Sequence, residues 1–263
     1  MLGEIAEPEI QGMQPPPISQ DEIDAKIAGH LDELLALWQT EQGEGKARDL
    51  DLIAAVLPLA GDQPLRILDL CCGPGDVGRA LQQRFPDAHV DGVDRDPFLT
   101  SICRGVNERS GAKGKTFVRD LEDADWHSPL SPPYDAAVVA NALHWFTPKR
   151  AREITADVSR LLRAGGAFIL VEPTRADTPF RAAFEAWTAT QPPRYRRENW
   201  EGFWSRANGL LGYDHIKLLG PRSGRIDEAS VADWIGLLRE AGFASPDVLW
   251  RDADEVMLGA IKP

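Results

Sequence analysis

Apolar positions along the chain recur with two periods, and the alternation of these periods predicts its elements. Ile67, Leu68 and Leu70 form a run too short for a helix and read as a buried strand, with Val77, Ala80 and Leu81 following at helical spacing. The order then repeats. His89 to Asp94 reads as a strand and Pro97 to about Asn107 as a helix opened by Asp96 as its cap; Lys115 to Val118 is a third strand. Tyr134 to Ala140 is a fourth strand, apolar on both faces as a strand covered by helices must be. A helix from Lys149 to Leu162 follows, then Arg163-Ala164-Gly165-Gly166 as a glycine stop, and a fifth strand from Ala167 to Val171. Ahead of this series, Gln20 to Thr40 and Ala47 to Leu59 predict two helices, the first with Ile23, Ile27, Leu31, Leu34, Leu35 and Trp38 on one side. Behind it, Phe180, Phe184 and Trp187 recur at helical spacing and are expected to pack on the sheet. Asp227 to Ala241 reads as an amphipathic helix stopped by Gly242, and Pro246 to Trp250 with Glu255 to Ile261 as a closing hairpin.

Composition narrows the class. With 263 residues and 43% apolar content the chain can bury one large core with an elaboration. No apolar run approaches the roughly twenty residues of a membrane helix, and the start, with Glu4, Glu7 and Glu9, does not resemble a secretory signal. The first eighteen or so residues, with Pro15-Pro16-Pro17, read as a disordered or loosely attached tail. Three cysteines give no disulfide framework and no metal-ligand spacing, so no metal is expected and a reducing cytoplasm is. A net charge of -12 repels polyanions and argues against nucleic acid as a partner. Arg194-Tyr195-Arg196-Arg197, a local exception, is read as a solvated helix start in preference to a contact for a phosphate or a substrate carboxylate.

The chemistry gathers where strands end. Gly73 and Gly75 follow the first strand, so the backbone can turn sharply and meet a ligand with no Cβ in the way. Gly73-Pro74-Gly75-Asp76-Val77-Gly78 satisfies a dinucleotide fingerprint. Asp76, however, stands at the helix N-cap position, where it opposes a pyrophosphate and tolerates a sulfonium. Capping alone also accounts for it. Asp94 ends the second strand, placed to accept hydrogen bonds from ribose hydroxyls, and Asp120 follows the third, placed for an adenine amino group. Asn141 to Trp145 follow the fourth strand and aim polar and aromatic groups at the same crevice.

In this order the segments LDLCCGPG, VDGVD, RDLED, YDAAVVANALHW and LLRAGGAFILVEP resemble the class I S-adenosylmethionine-dependent methyltransferases, over about two thirds of the chain. The resemblance implies a Rossmann-like α/β fold: a seven-stranded sheet with its last strand antiparallel, helices on both faces, and S-adenosylmethionine as cofactor. It divides the chain into a tail (1–19), a helical lid (20–60), a cofactor-binding core (61–173), a helical acceptor cap (174–225) and a closing helix and hairpin (226–263). It implies Gly73 and Gly75 against the methionine moiety, Asp94 on the ribose with Arg95 beside it, Asp120 and Leu121 at the adenine, and Asn141 near the methyl-donor end. Asp69 and Cys71, at the end of the first strand, complete this cofactor set.

The acceptor implied is a small molecule, aromatic or carboxylate-bearing. Tyr195, Trp200, Trp204 and Tyr213 are read either as packing or as an acceptor wall, and Asp214 with His215 as a turn. His144 is the histidine at the crevice: a catalytic base, a substrate-orienting group, or filler beside Trp145. His30, His89 and His127 read as surface residues. A nicotinamide-dependent oxidoreductase and a non-methylating protein that keeps the fold are the competing functions.

Overall fold

The computed structural model describes residues 17–57, 64–175, 180–190, 197–220, 226, 229–252 and 255–263. The proposed tail therefore lies almost wholly outside the described residues, as do Tyr195 and the side chains of Phe184 and Trp200. Among the described residues seven strands form one sheet: β1 (Arg66–Leu70), β2 (His89–Asp94), β3 (Thr116–Val118), β4 (Tyr134–Ala140), β5 (Leu162–Pro173), β6 (Ala244–Asp252) and β7 (Glu255–Ile261). Their order is β3-β2-β1-β4-β5-β7-β6. β1 to β5 are parallel, whereas β7 runs antiparallel to both β5 and β6. β1 pairs with β2 on one side and β4 on the other, so chain order reverses there and a crevice opens at the strands' carboxyl ends.

Both faces of the sheet are buried. Leu68, Leu70, Ala137 and Val139 meet α5 (Pro148–Leu161) and α9 (Val231–Glu240) through Ile154, Val158, Trp234 and Leu238. Ile67, Ala136, Val138 and Ile169 meet α3 (Asp76–Arg84) through Val77 and Leu81, and Ile53 and Ala54. A third cluster stands apart from the sheet. In it α1 (Gln20–Ala28), the first half of α2 (Leu31–Val56), α4 (Pro97–Ser110) and α7 (Arg197–Leu211) bury Ile23, Ile27, Leu34, Trp38, Phe98 and Phe203. The segments expected as lid and cap thus share one apolar core over α4.

Four expectations are corrected. The leading helices break at Gly29-His30, and α2 runs unbroken through Gly43 and Gly45 to Val56. Each glycine costs a helix about 1 kcal/mol, but Leu34 and Trp38 anchor one end in the helical cluster while Ile53 and Leu57 anchor the other on the sheet. Arg163 to Gly166 are no stop: β5 begins at Leu162, and its register with β4 jumps from Tyr134↔Leu162 to Ala136↔Ala167, with Gly165 at φ 71° in the bulge. Asp76 is the first residue of α3, not its cap, which is Gly75 at φ 86°. Phe180 and Trp187, expected on the sheet, are 74% and 50% exposed at α6 (Arg181–Thr188). No helix among the described residues is long and apolar enough to cross a membrane.

Candidate active site

The crevice is built from the turn that leaves β1. Cys71 and Gly73 have φ near 53° and 52°, and a Cβ added to Gly73 would meet nothing within 4 Å. Bare backbone therefore faces open space. At Gly75 an added Cβ would lie 2.7 Å from Cys103 Sγ, so that glycine serves packing against α4. The Cys72 N–H donates to Val93 O and the Gly73 N–H to Asp94 Oδ2 at 2.9 Å, which seats the turn against the end of β2. Asp94 Oδ1 accepts the Asp96 N–H at 2.9 Å. The carboxylate is buried, and its two oxygens lie side by side at the strand end, an arrangement that matches a vicinal diol. Asp96 caps α4 as the sequence predicts, its Oδ1 accepting from the Phe98 and Leu99 N–H groups.

The neighbouring candidates are held by protein partners. The Arg95 guanidinium lies 3.6 Å from Asp120 Oδ2 and donates to Gly220 O at 2.9 Å. Asp120 also accepts the Glu122 N–H, and Leu121 is buried in the sheet's first-face core. Cys71 is half-buried against that same core. Asp69 Oδ2 accepts the Gly78 N–H of α3 at 3.1 Å and lines a small cavity between the sheet and α3–α4, together with Cys72, Gly75, Cys103 and Thr116. Burial, and then the nearby Cys103, push the Asp69 carboxyl well above the usual carboxylate range. A hydrogen bond from Cys72 brings the Cys103 thiol down to about 7, while the same bond and burial raise Cys72.

Across the crevice, β4 ends at Asn141, whose φ of 55° turns the chain and whose Nδ2 donates to Glu255 Oε1 at 2.9 Å. A 3-10 turn, Leu143–Trp145, follows. Glu172, wholly buried near the end of β5, gathers this turn: Oε1 accepts the Ala142 and Leu143 N–H groups, and Oε2 accepts the His144 N–H. His144 Nδ1 lies 2.7 Å from Glu172 Oε2, and Trp145 packs 5.0 Å from the imidazole. An Nδ1–H donated to this carboxylate leaves the Nε2 lone pair as the ring's proton acceptor. Glu172 is a candidate site residue that the sequence reading does not single out. Its signal was an acid closing an otherwise apolar strand at the same sheet edge as Asp94.

The helical cluster reaches the crevice at two points. Trp38 Nε1 donates to Asp76 Oδ2 at 2.6 Å, and Arg79 pairs with the other Asp76 oxygen. From the insertion, α8 (His215–Leu219) sends His215 Nε2 to Asp96 Oδ1 at 2.8 Å. Asp214 is the cap of α8, but His215 is more than turn filler: it is wholly buried, stacked 5.9 Å from Trp204 and beside Phe98 and Tyr213. His215 Nδ1 and Tyr213 Oη are buried with no hydrogen-bond partner among the described residues. Among the described residues no cluster suited to a metal ion occurs.

Residues 67–166 match the family described as methyltransferase domain. A trans-aconitate 2-methyltransferase of Mycobacterium tuberculosis (strain ATCC 25177 / H37Ra) is 32% identical over 130 residues, 48% of this chain and 44% of that protein. The chain thus matches less than half the length of this curated relative. The CurJ carbon methyltransferase structure superposes with a TM-score of 0.58 at 17% identity, covering 91% of this chain and 61% of that one. PigF, solved with SAH, superposes at 0.51 and 19% identity, covering 78% and 52%.

Proposed function

We infer that this chain, whose core is that of a class I S-adenosylmethionine-dependent methyltransferase, methylates a small molecule at the crevice between Asp94 and His144. The observation that carries the reading is the open space over Gly73 beside the buried Asp94 carboxylate, which is fixed at the end of β2 by the Gly73 and Asp96 N–H groups and is a charge-assisted acceptor for ribose hydroxyls. Asp120 stands on the adenine side with Arg95 holding it, and Asn141, fixed by Glu255, stands toward the reacting end. Asp69 acts from beneath, anchoring the first turn of α3. The Trp38 contact with Asp76 covers the start of α3, the seat a dinucleotide pyrophosphate would need, and so favours S-adenosylmethionine over a nicotinamide cofactor.

When bound, S-adenosylmethionine supplies an electrophilic methyl group on a sulfonium. The chain has to orient the acceptor, exclude water and take the acceptor's proton. Glu172 keeps His144 in the tautomer whose Nε2 accepts that proton, which fits an acceptor attacking through a hydroxyl or another protonated nucleophile. A net charge of -12 disfavours nucleic acid as the acceptor, and the trans-aconitate relative supports a small carboxylate-bearing metabolite. The free cysteines, buried or half-buried, are in keeping with a cytoplasmic setting.

Calorimetry tests the cofactor. S-adenosylhomocysteine should bind, NAD and NADP should not at comparable concentration, and Asp94→Asn should weaken S-adenosylhomocysteine by about tenfold or more through lost charge-assisted bonds. Tight NAD binding overturns the assignment.

A further inference from the structure

Three consecutive residues connect parts of the chain that are far apart in sequence. Asp94 holds the glycine-rich turn through Gly73, Arg95 donates to Gly220 at the end of α8, and Asp96 meets His215 at the start of α8. α8 is therefore fastened at both ends to the loop that carries the proposed ribose-binding carboxylate. We propose that His215 is a positioning residue for Asp94, and that through it the insertion and the cofactor site are energetically coupled; this rests on the reading of Asp94 above.

A buried histidine is costly. His215 is wholly buried against Phe98, Trp204 and Tyr213, and its Nδ1 has no partner among the described residues. A phenylalanine would fill the same aromatic box with no polar atom to desolvate. What the imidazole adds is one hydrogen bond, Nε2 to Asp96 Oδ1. That oxygen already caps α4 through Phe98 and Leu99, so the helix does not need the third donor. The extra bond instead restrains Asp96, whose own N–H fixes Asp94 Oδ1 while Gly73 fixes Oδ2. A carboxylate held at both oxygens binds a diol without first being ordered. Coupling is reciprocal: whatever His215 contributes to cofactor affinity, the cofactor returns to the placement of α8.

The test compares the full chain with His215→Phe, which keeps the volume, and His215→Gln, which keeps an N–H donor. S-adenosylhomocysteine affinity is read by calorimetry, and amide exchange by mass spectrometry over 94–99 in the free chain and over 215–220 with and without S-adenosylhomocysteine. The expected result is affinity about tenfold weaker in the Phe variant and largely restored in the Gln variant. Exchange over 94–99 should be faster in the Phe variant, and in the wild type S-adenosylhomocysteine should slow exchange over 215–220. A Phe variant that binds within about twofold of wild type with unchanged exchange overturns the proposal. So does a Gln variant that folds normally and binds as weakly as Phe, since volume would then be what matters. If the Phe variant does not fold, the wild-type comparison decides: unslowed exchange over 215–220 on binding is a refutation. Wild type failing to bind S-adenosylhomocysteine would instead defeat the cofactor reading, and the free-chain exchange over 94–99 would still judge the His215 contact.

Discussion

Glu172 shows how much one side chain can decide. Its two oxygens accept three backbone N–H groups and face the His144 imidazole. Glu172→Gln keeps the volume, but an amide NH2 facing His144 favours the tautomer with the proton on Nε2, where it can no longer accept one. Turnover of Glu172→Gln and of His144→Ala should each fall about a hundredfold or more in steady-state assays, with S-adenosylhomocysteine affinity unchanged; undiminished kcat would remove the pair from proton transfer. Asp69 makes a pH prediction. Its folded-state pKa is raised above the ordinary 3.8, so the native chain retains a proton that the unfolded chain releases. Stability from this group therefore falls as pH rises above the unfolded value toward the folded one. Asp69→Asn, which keeps an acceptor for Gly78, should flatten that decline and be more stable than wild type at about pH 8 in urea titrations. The cap at Asp96 was legible because its Pro97 neighbour marks a helix start. His215 was not, because nothing near position 215 in the sequence reveals a carboxylate 119 residues away.

At the scale of elements, the two glycines of the turn do different work. Gly75→Ala must hold φ near 86° and press a methyl group against Cys103 Sγ, so it should cost about 1–3 kcal/mol of stability. Gly73→Ala meets open space and should cost about 1 kcal/mol, while weakening S-adenosylhomocysteine far more than Gly75→Ala does per unit of stability lost. Urea denaturation beside calorimetry separates them, and equal losses of affinity would mean that the ligand does not approach Gly73. Period and punctuation located β1, β2, β4, α4, α5 and α9 because each has an apolar stripe closed by a cap or a strand end. They failed where tertiary contacts overrode local cost. The glycines of α2 read as a break, yet the helix is held at both ends, and Arg163 to Gly166 read as a stop although Gly165 and Gly166 pair across to Lys262. The Phe180 and Trp187 stripe had the right spacing, but spacing does not say what a stripe faces, and both residues are exposed.

For the whole molecule, the strand and helix order from 66 to 173 was legible because each unit packs beside the next, with β1 as the switch point. The helical cluster was not, since its parts come from opposite sides of that core: Phe203 packs on Trp38 and Phe98, Lys26 donates to Leu210 O, and Arg206 pairs with Glu33. This places the cluster late in biogenesis. When the core has emerged from the ribosome, α1 can already lie on α4 through Gln20 to Ser101 and Asp24 to Arg104, but the apolar side awaiting Phe203 and Trp204 stays wet until about thirty further residues are made. Pulsed hydrogen exchange during refolding should find β1 and β4 protected before α7, with α1 and α2 acquiring full protection only together with α7; simultaneous protection of all would argue against that order. The nascent chain, with its sheet complete through β5 and its first helices half covered, is the species for which a holding chaperone would compete.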